Sequence, residues 1–218
     1  MNANVDTMCM PRPPVGISRW VTSVLRAVGT VLVAGLFTLL LVACIQEFAR
    51  THAPDALGVV IVNALFVFLY VTRSDAKAVS TSPAAWALSF AGTMLPLLMR
   101  PSPGGFTTLG NGVQLVGIAV IIVALLSLSR SFGIVPANRG VRQNGLYRFV
   151  RHPLYAGEIV FISGFVLVNP SAWNIAIWTL DCALQIGRAI TEERFLSADP
   201  EYRIYCQRTR YRLVPLVF

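Results

Sequence analysis

Long uncharged runs separated by short polar breaks pattern the chain. They cover residues 27–46, 56–72, 78–99, 101–129 and 159–180. A bilayer core is ~30 Å thick and needs about 20 apolar residues as a helix. The first four runs therefore predict membrane helices at about 24–45, 57–72, 84–99 and 110–129. The fifth is broken by Asn169-Pro170. Pro disfavours a helical residue before it, and Asn-Pro signals a turn. The reading is a helical hairpin: a helix over about 154–168, a turn at 169–170, and a longer helix over about 171–197 that Asp199-Pro200 stops. At 1.5 Å per residue the longer arm is ~40 Å, so its end projects from the membrane.

The expected fold is an all-α integral membrane protein with about five to six membrane helices, the last two a hairpin. Residues 1–20, with Pro11, Pro13 and Pro14, read as a short cytoplasmic tail. Residues 21–129 form a four-helix scaffold and residues 130–218 a catalytic region. The first apolar run is too long for a signal-peptide core.

Composition sharpens this. Of 218 residues, 55% are hydrophobic and 13% charged, against roughly 25% charged in an ordinary soluble domain. The net charge of +8 would suit nucleic acid, but its distribution argues otherwise. Basic residues cluster at Arg12/Arg19/Arg26, at Arg73/Lys77, over 130–151 and over 188–212, with Arg50 and Arg100 apart. Threading the spans in order puts all four clusters on one side, the cytoplasmic side, with both termini. Topology and contact with anionic membrane lipid explain the charge without nucleic acid. Cys9, Cys44, Cys182 and Cys206 form no C-x-x-C pair, which gives no sign of a metal or a disulfide framework. Gly110-Asn111-Gly112 follows no strand, so it is not read as a dinucleotide loop.

The polar chemistry sits in the last third, around Arg151-His-Pro-Leu-Tyr-Ala-Gly-Glu158. Pairing the hairpin arms by distance from the turn brings Glu158 level with Asp181, His152 with Arg188, and Tyr147 and Arg148 with Glu192 and Glu193. Asn174, Trp178, Asp181, Gln185, Arg188 and Glu192 recur at spacings of three and four, so they share one helix face. A polar stripe on a membrane helix faces protein or water and marks a functional site by default. The expectation is one polar pocket near the cytoplasmic surface. The competing explanation is a set of membrane-edge ion pairs, such as Arg188 with Glu192, that hold the hairpin shut.

These residues carry a resemblance. Residues 144–157, Asn-Gly-Leu-Tyr-Arg-Phe-Val-Arg-His-Pro-Leu-Tyr-Ala-Gly, resemble the G-x-Y-x-x-x-R-H-P-x-Y-x-G signature of the isoprenylcysteine carboxyl methyltransferase and phospholipid methyltransferase superfamily. Asn169-Pro170 is similar to the turn of its hairpin. Arg188-Ala-Ile-Thr-Glu-Glu-Arg-Phe-Leu196 resembles its R-x-x-x-E-E-x-x-L segment. Tyr202-x-x-Tyr205 with Arg210-Tyr-Arg-Leu-Val-Pro215 resembles its closing tail. The likeness covers about residues 130–218.

It implies a membrane enzyme that uses S-adenosylmethionine in a cytoplasmic-side pocket and takes a lipid-like acceptor through a lateral opening. The cofactor has an ammonium, a carboxylate, a ribose, an adenine and a sulfonium. Glu192 or Glu193 suits the ammonium or ribose, and Arg139, Arg142 or Arg151 the carboxylate. Tyr147 and Tyr155 offer ring faces. His152 is a donor or acceptor toward the cofactor, Pro153 fixes the helix entry, and Gly157 permits close approach of the ligand or the second helix. Val141 completes the set, and no metal is expected. Arg188, Glu158 and Asp181 are the catalytic candidates: Arg188 to hold a carboxylate acceptor, Glu158, Asp181 or His152 to take a proton from an amine or thiol.

Two departures keep alternatives open. Arg139-Gly-Val-Arg142 stands where the eukaryotic carboxyl methyltransferases have a histidine-led stretch. Glu158 after Gly157 resembles the membrane steroid and enoyl reductases, which use a nicotinamide cofactor, although Leu154 replaces their Asn. A phospholipid N-methyltransferase, a thiol S-methyltransferase, an NADPH-dependent reductase and a non-enzymatic membrane module are the alternatives to an isoprenylcysteine-type O-methyltransferase. The basic, tyrosine-rich segment over 201–212 suits an interfacial helix, a lid over the cofactor, or both.

Overall fold

A computed structural model describes residues 19–215 and 217, with side chains from residue 27 onward. The tail expected over 1–20 lies, as far as residue 18, outside the described residues. The helices are α1 (Arg19–Thr51), α2 (Pro54–Thr72), α3 (Pro83–Met94), α4 (Thr107–Leu128), α5 (Pro153–Val168), α6 (Ala172–Leu196) and α7 (Pro200–Arg208). Proline opens α2, α3, α5 and α7, where its missing N–H costs nothing and its φ suits a first turn. Ser82, Ser171 and Asp199 cap their helices by accepting from the backbone N–H of Ala85, Asn174 and Glu201.

The fold is all-α and the protein is an integral membrane protein. Among the described residues, three helices are long and apolar enough to cross a bilayer: Ala27–Thr51, Pro54–Thr72 and Thr107–Ser131. The apolar stretches Pro83–Leu98 and Pro153–Val168 are shorter. The first helix overruns its expected bounds at both ends, because an apolar run marks the part that lipid covers and not where helical hydrogen bonding stops. Pro96 turns the end of the third span into a 3-10 turn, Leu95–Leu98. One element was not expected: strands β1 (Ala78–Val79) and β2 (Ala137–Asn138) pair antiparallel.

α1 packs on α2, α2 on α4, α3 on α6, and α4 on α5. The core between α1, α2, α4 and the loop after α4 holds Phe37, Leu69, Ile118, Leu125 and Phe132. Small residues let α4 and α5 touch backbone to backbone. A Cβ on Gly117 would stand 2.5 Å from the backbone N of Phe161, and one on Gly164 2.6 Å from that of Gln114. Gly157 belongs to this seam. Its missing side chain would meet Ile121 and Val120 of α4, so the close approach expected toward a ligand or the second arm is made to α4 instead.

The α3–α4 loop pins the hairpin turn. The Asn174 side chain accepts from the backbone N–H of Arg100 and donates to the carbonyls of Arg100 and Asn169. The Asn169 side chain accepts from the N–H of Ser102. The arms meet about one turn further along α6 than equal distances predict: Glu158 bonds Gln185, and His152 faces Glu193. The glycine seam to α4 sets the position of α5, and the capped segment over 169–171 is not a symmetric turn.

Candidate functional site

Pro153 starts α5 and leaves His152 at its N-cap with a buried ring. That ring stacks on Tyr155, with centroids 5.5 Å apart. The Tyr155 hydroxyl donates to Glu192 Oε2 at 2.9 Å. Glu193 points the other way. Its Oε1 lies 3.0 Å from Arg151 Nη1 and 3.2 Å from His152 Nε2, and its Oε2 accepts from Arg212 Nε at 2.9 Å. The backbone reinforces this clamp. The N–H groups of Arg151 and His152 donate to the carbonyls of Tyr211 and Arg212, and Arg151 Nη2 donates to the carbonyl of Arg210. The Tyr205 hydroxyl donates to the carbonyl of Tyr147 at 2.6 Å. The C-terminal segment is thereby strapped across the Arg-His-Pro entry to α5.

These parts line an open cavity with about 810 Å³ of empty space, the solvent at its mouth included. Arg139, Val141, Tyr147, Arg151, His152, Tyr155 and Glu192 all line it. Pro153, Gly157 and Glu193 do not: Pro153 is buried at the start of α5, Gly157 sits in the α4 seam, and Glu193 is enclosed in its clamp. Sequence reasoning did not place Ser131, Asn138 and Asp199 in this lining, and it gave Tyr202 and Tyr205 only as part of a segment suited to an interfacial helix, a lid over the cofactor, or both. The Y-x-x-Y pair was a signal for the two tyrosines; nothing in the sequence singled out Asn138.

The cavity is polar in an ordered way. Arg139, Arg142 and Arg151 bring positive charge, Glu192 and Asp199 negative. Burial, with the nearby Glu192 charge, pushes the Tyr147 hydroxyl well above its ordinary value, and burial first raises Tyr202 and Tyr205 too. Burial and the neighbouring Arg73 lower the affinity of the Arg139 guanidinium for its proton. The α2–α3 loop holds the arginine-bearing loop in place. The Lys77 N–H donates to the Asn138 carbonyl and the Ser80 N–H to that of Pro136, while Arg139 Nε donates to the Ser74 carbonyl. The Asn138 amide then reaches across to Asp199 Oδ2 at 2.7 Å.

A second cavity, about 770 Å³, lies among the membrane helices. Phe37, Leu40, Val62, Phe66, Ile121 and Phe161 help make it apolar; Asn63, Glu158 and Gln185 are its polar side chains along with Thr93. A partition of side chains separates the cavities, and contacts through it run from one lining to the other. Tyr155 faces the first, and Glu158, about one turn on, faces the second. Arg188 fills the space between, its guanidinium 4.7 Å from the centre of the Tyr155 ring. It donates to Gln185 Oε1 at 2.9 Å and lies 3.8 Å from Glu158 Oε2, which also accepts from Gln185. Asp181 lines neither cavity. It is fully buried, and neither carboxyl oxygen makes a hydrogen bond among the described residues. The structure thus gathers Glu158 and Arg188 at the partition, where Glu158 bonds Gln185; Asp181 is near both but lines neither cavity.

No curated protein matches this chain. Residues 105–201 match the model of the family described as phospholipid methyltransferase. The matched stretch runs from just before α4 into the first turn of α7 and takes in every expected site residue from Arg139 to Glu193. That family is part of the membrane superfamily of isoprenylcysteine and phospholipid methyltransferases, and residues 105–201 of the chain are similar to it.

Proposed function

We propose that the protein transfers a methyl group from S-adenosylmethionine, held in the polar cavity, to a lipophilic acceptor that enters the apolar chamber from the membrane. The observation that carries this is the chain of contacts from Tyr155, which lines the polar cavity, through Arg188 to Glu158, which lines the apolar one, inside the stretch that matches the family.

The donor set fits the cofactor. Its carboxylate pairs with Arg139, Arg142 or Arg151, and the Arg151 Nε is buried with no partner among the described residues. Its ammonium pairs with Glu192 or Asp199, and the tyrosine faces take its adenine. S-adenosylmethionine supplies an electrophilic methyl group. The chain supplies alignment and exclusion of water. Tyr155 and Arg188 close the cofactor side, and Glu158 stands at the polar end of the acceptor chamber.

The charge balance there selects among acceptors. Gln185 and Glu158 already engage Arg188, and Asp181 adds a second carboxyl nearby. A carboxylate acceptor would face this acidic surplus with no uncommitted cation. An amine or thiol meets in Glu158 a group that takes its proton as the new bond to carbon forms. The reading is therefore N- or S-methylation of a lipophilic acceptor, with the cofactor side and both termini cytoplasmic, as the basic clusters require.

Equilibrium binding to the full chain in detergent tests this, with NADPH in parallel and Glu192→Gln as control. Micromolar S-adenosylmethionine affinity, weakened in the variant, is the expected result. Binding of NADPH alone would replace the reading with the reductase.

A further inference from the structure

The face of α7 that turns away from the cavity has a composition of its own. Tyr202 and Tyr205 point inward, where they line the cavity. Arg203, Ile204 and Arg208 point outward and are exposed. Beside them are Arg210, Arg148 and Phe149, also exposed. Phe149 is 54% and Ile204 50% open, and Arg148 lies over the Phe149 ring. None of these arginines makes an ion pair among the described residues. Large apolar side chains interleaved with arginine on one exposed surface are the composition of a membrane–water interface.

The depth of this surface follows from α5. Its 16 residues span about 24 Å, less than the ~30 Å hydrocarbon core. Placed within the bilayer, α5 has its Pro153 end near the edge of the hydrocarbon, which brings Phe149 to the headgroups. The segment after α7 is held to the same level. Thr209 Oγ donates to the carbonyl of Arg148, and Arg151 donates to that of Arg210. In that placement Arg208 and Arg210 come to headgroup depth beside Arg148.

We propose that the outward face of α7, with Arg148 and Phe149, seats on the anionic headgroups of the leaflet beside it, and that this seating holds Tyr202 and Tyr205 against the cavity. Charge complementarity chooses the partner: four exposed arginines, Arg148, Arg203, Arg208 and Arg210, meet phosphates. Apolar anchors at that depth select a lipid surface over a soluble polyanion. The second clause rests on the cofactor reading above; the first does not.

The test reconstitutes the full chain in nanodiscs of phosphatidylcholine, with or without phosphatidylglycerol. Two quantities are read: hydrogen exchange of the α7 amides and the affinity for S-adenosylmethionine. With the anionic lipid, exchange in α7 slows by roughly tenfold and the affinity tightens. Both effects fade in high salt and disappear in Arg203→Gln/Arg208→Gln. Equal exchange in the two discs overturns the docking. Slowed exchange with unchanged cofactor affinity overturns the link to the cavity. Slowed exchange in a protein that binds no S-adenosylmethionine in either disc overturns the cofactor reading and upholds the docking.

Discussion

The two cavities are close in volume, about 810 and 770 Å³, and opposite in construction. The polar one is assembled from loops, a helix N-terminus and the C-terminal strap, held by hydrogen bonds between residues far apart in sequence. The apolar one is what remains between helix faces. Polar groups are expensive to bury unless paired, so the polar cavity is surrounded by clamps and networks, while the chamber needs only side-chain volume. Only at the partition do the two kinds of construction meet, and there the burial of charge is deepest: Arg188 is 7% exposed and Asp181 0%.

The largest expected effect lies at that partition. Arg188→Leu should abolish methyl transfer and cost about 3–5 kcal/mol, because Glu158 loses its buried counter-charge. Thermal unfolding in detergent and a turnover assay measure both; wild-type turnover in a folded variant would remove the partition from the mechanism. Next come the adjacent carboxylates. Glu193→Ala strips two arginines and His152 of their shared partner and should lower stability by about 3 kcal/mol. Glu192→Ala should leave the melting temperature in place and weaken cofactor binding about ten- to hundredfold. The reverse pattern would mean that the clamp and the cavity wall are misassigned. Filling the chamber comes third. Leu40→Trp should reduce turnover of a long-chain acceptor about tenfold, by analogy with the cost of overpacking, without moving cofactor affinity.

Smaller still, Tyr155→Phe removes one hydrogen bond to Glu192 and should weaken cofactor binding about fivefold, read by titration calorimetry. The smallest is a pH effect at the cavity mouth. The Asn138 amide and the Glu201 backbone N–H hold the Asp199 carboxyl below its ordinary 3.8. A depressed carboxyl contributes stability above its unfolded value, and that contribution fades as pH falls through the folded one. Melting temperature should fall on acidification below about pH 4, and less steeply in Asn138→Ala.

Most of the fold was legible because apolar run length and Asn-Pro punctuation are strong signals. The ends of α1 were not, since helices outlast their apolar stretch. The register of the hairpin was missed by about a turn because it depends on Gly157 and Gly164 seating α5 against α4, a contact that no local spacing reports. For the candidate site, residue types and motif order brought out Tyr147, His152, Tyr155 and Glu192, which do line one cavity. They did not separate Glu192 from Glu193, because adjacent helix positions diverge by about 100° and only the packed structure shows which side holds the clamp. Asn138 and the two-residue strands were invisible, being too short to carry a period.

The polar stripe of α6 bears on how the protein is made. The helix has 25 residues but is not among those apolar enough to cross a membrane by themselves. Asp181, Arg188, Glu192 and Glu193 interrupt it, and an aspartate or arginine at mid-helix costs about 2.5–3.5 kcal/mol to partition from the translocon. Alone, α6 would slip back into water. Beside α5, the carboxyl of Glu158 joins the Gln185 amide of α6 itself in giving Arg188 its partners before lipid reaches it. The two arms are therefore one unit of insertion, and the tight Asn169–Ser171 connection keeps that partner within reach as the ribosome delivers the second arm.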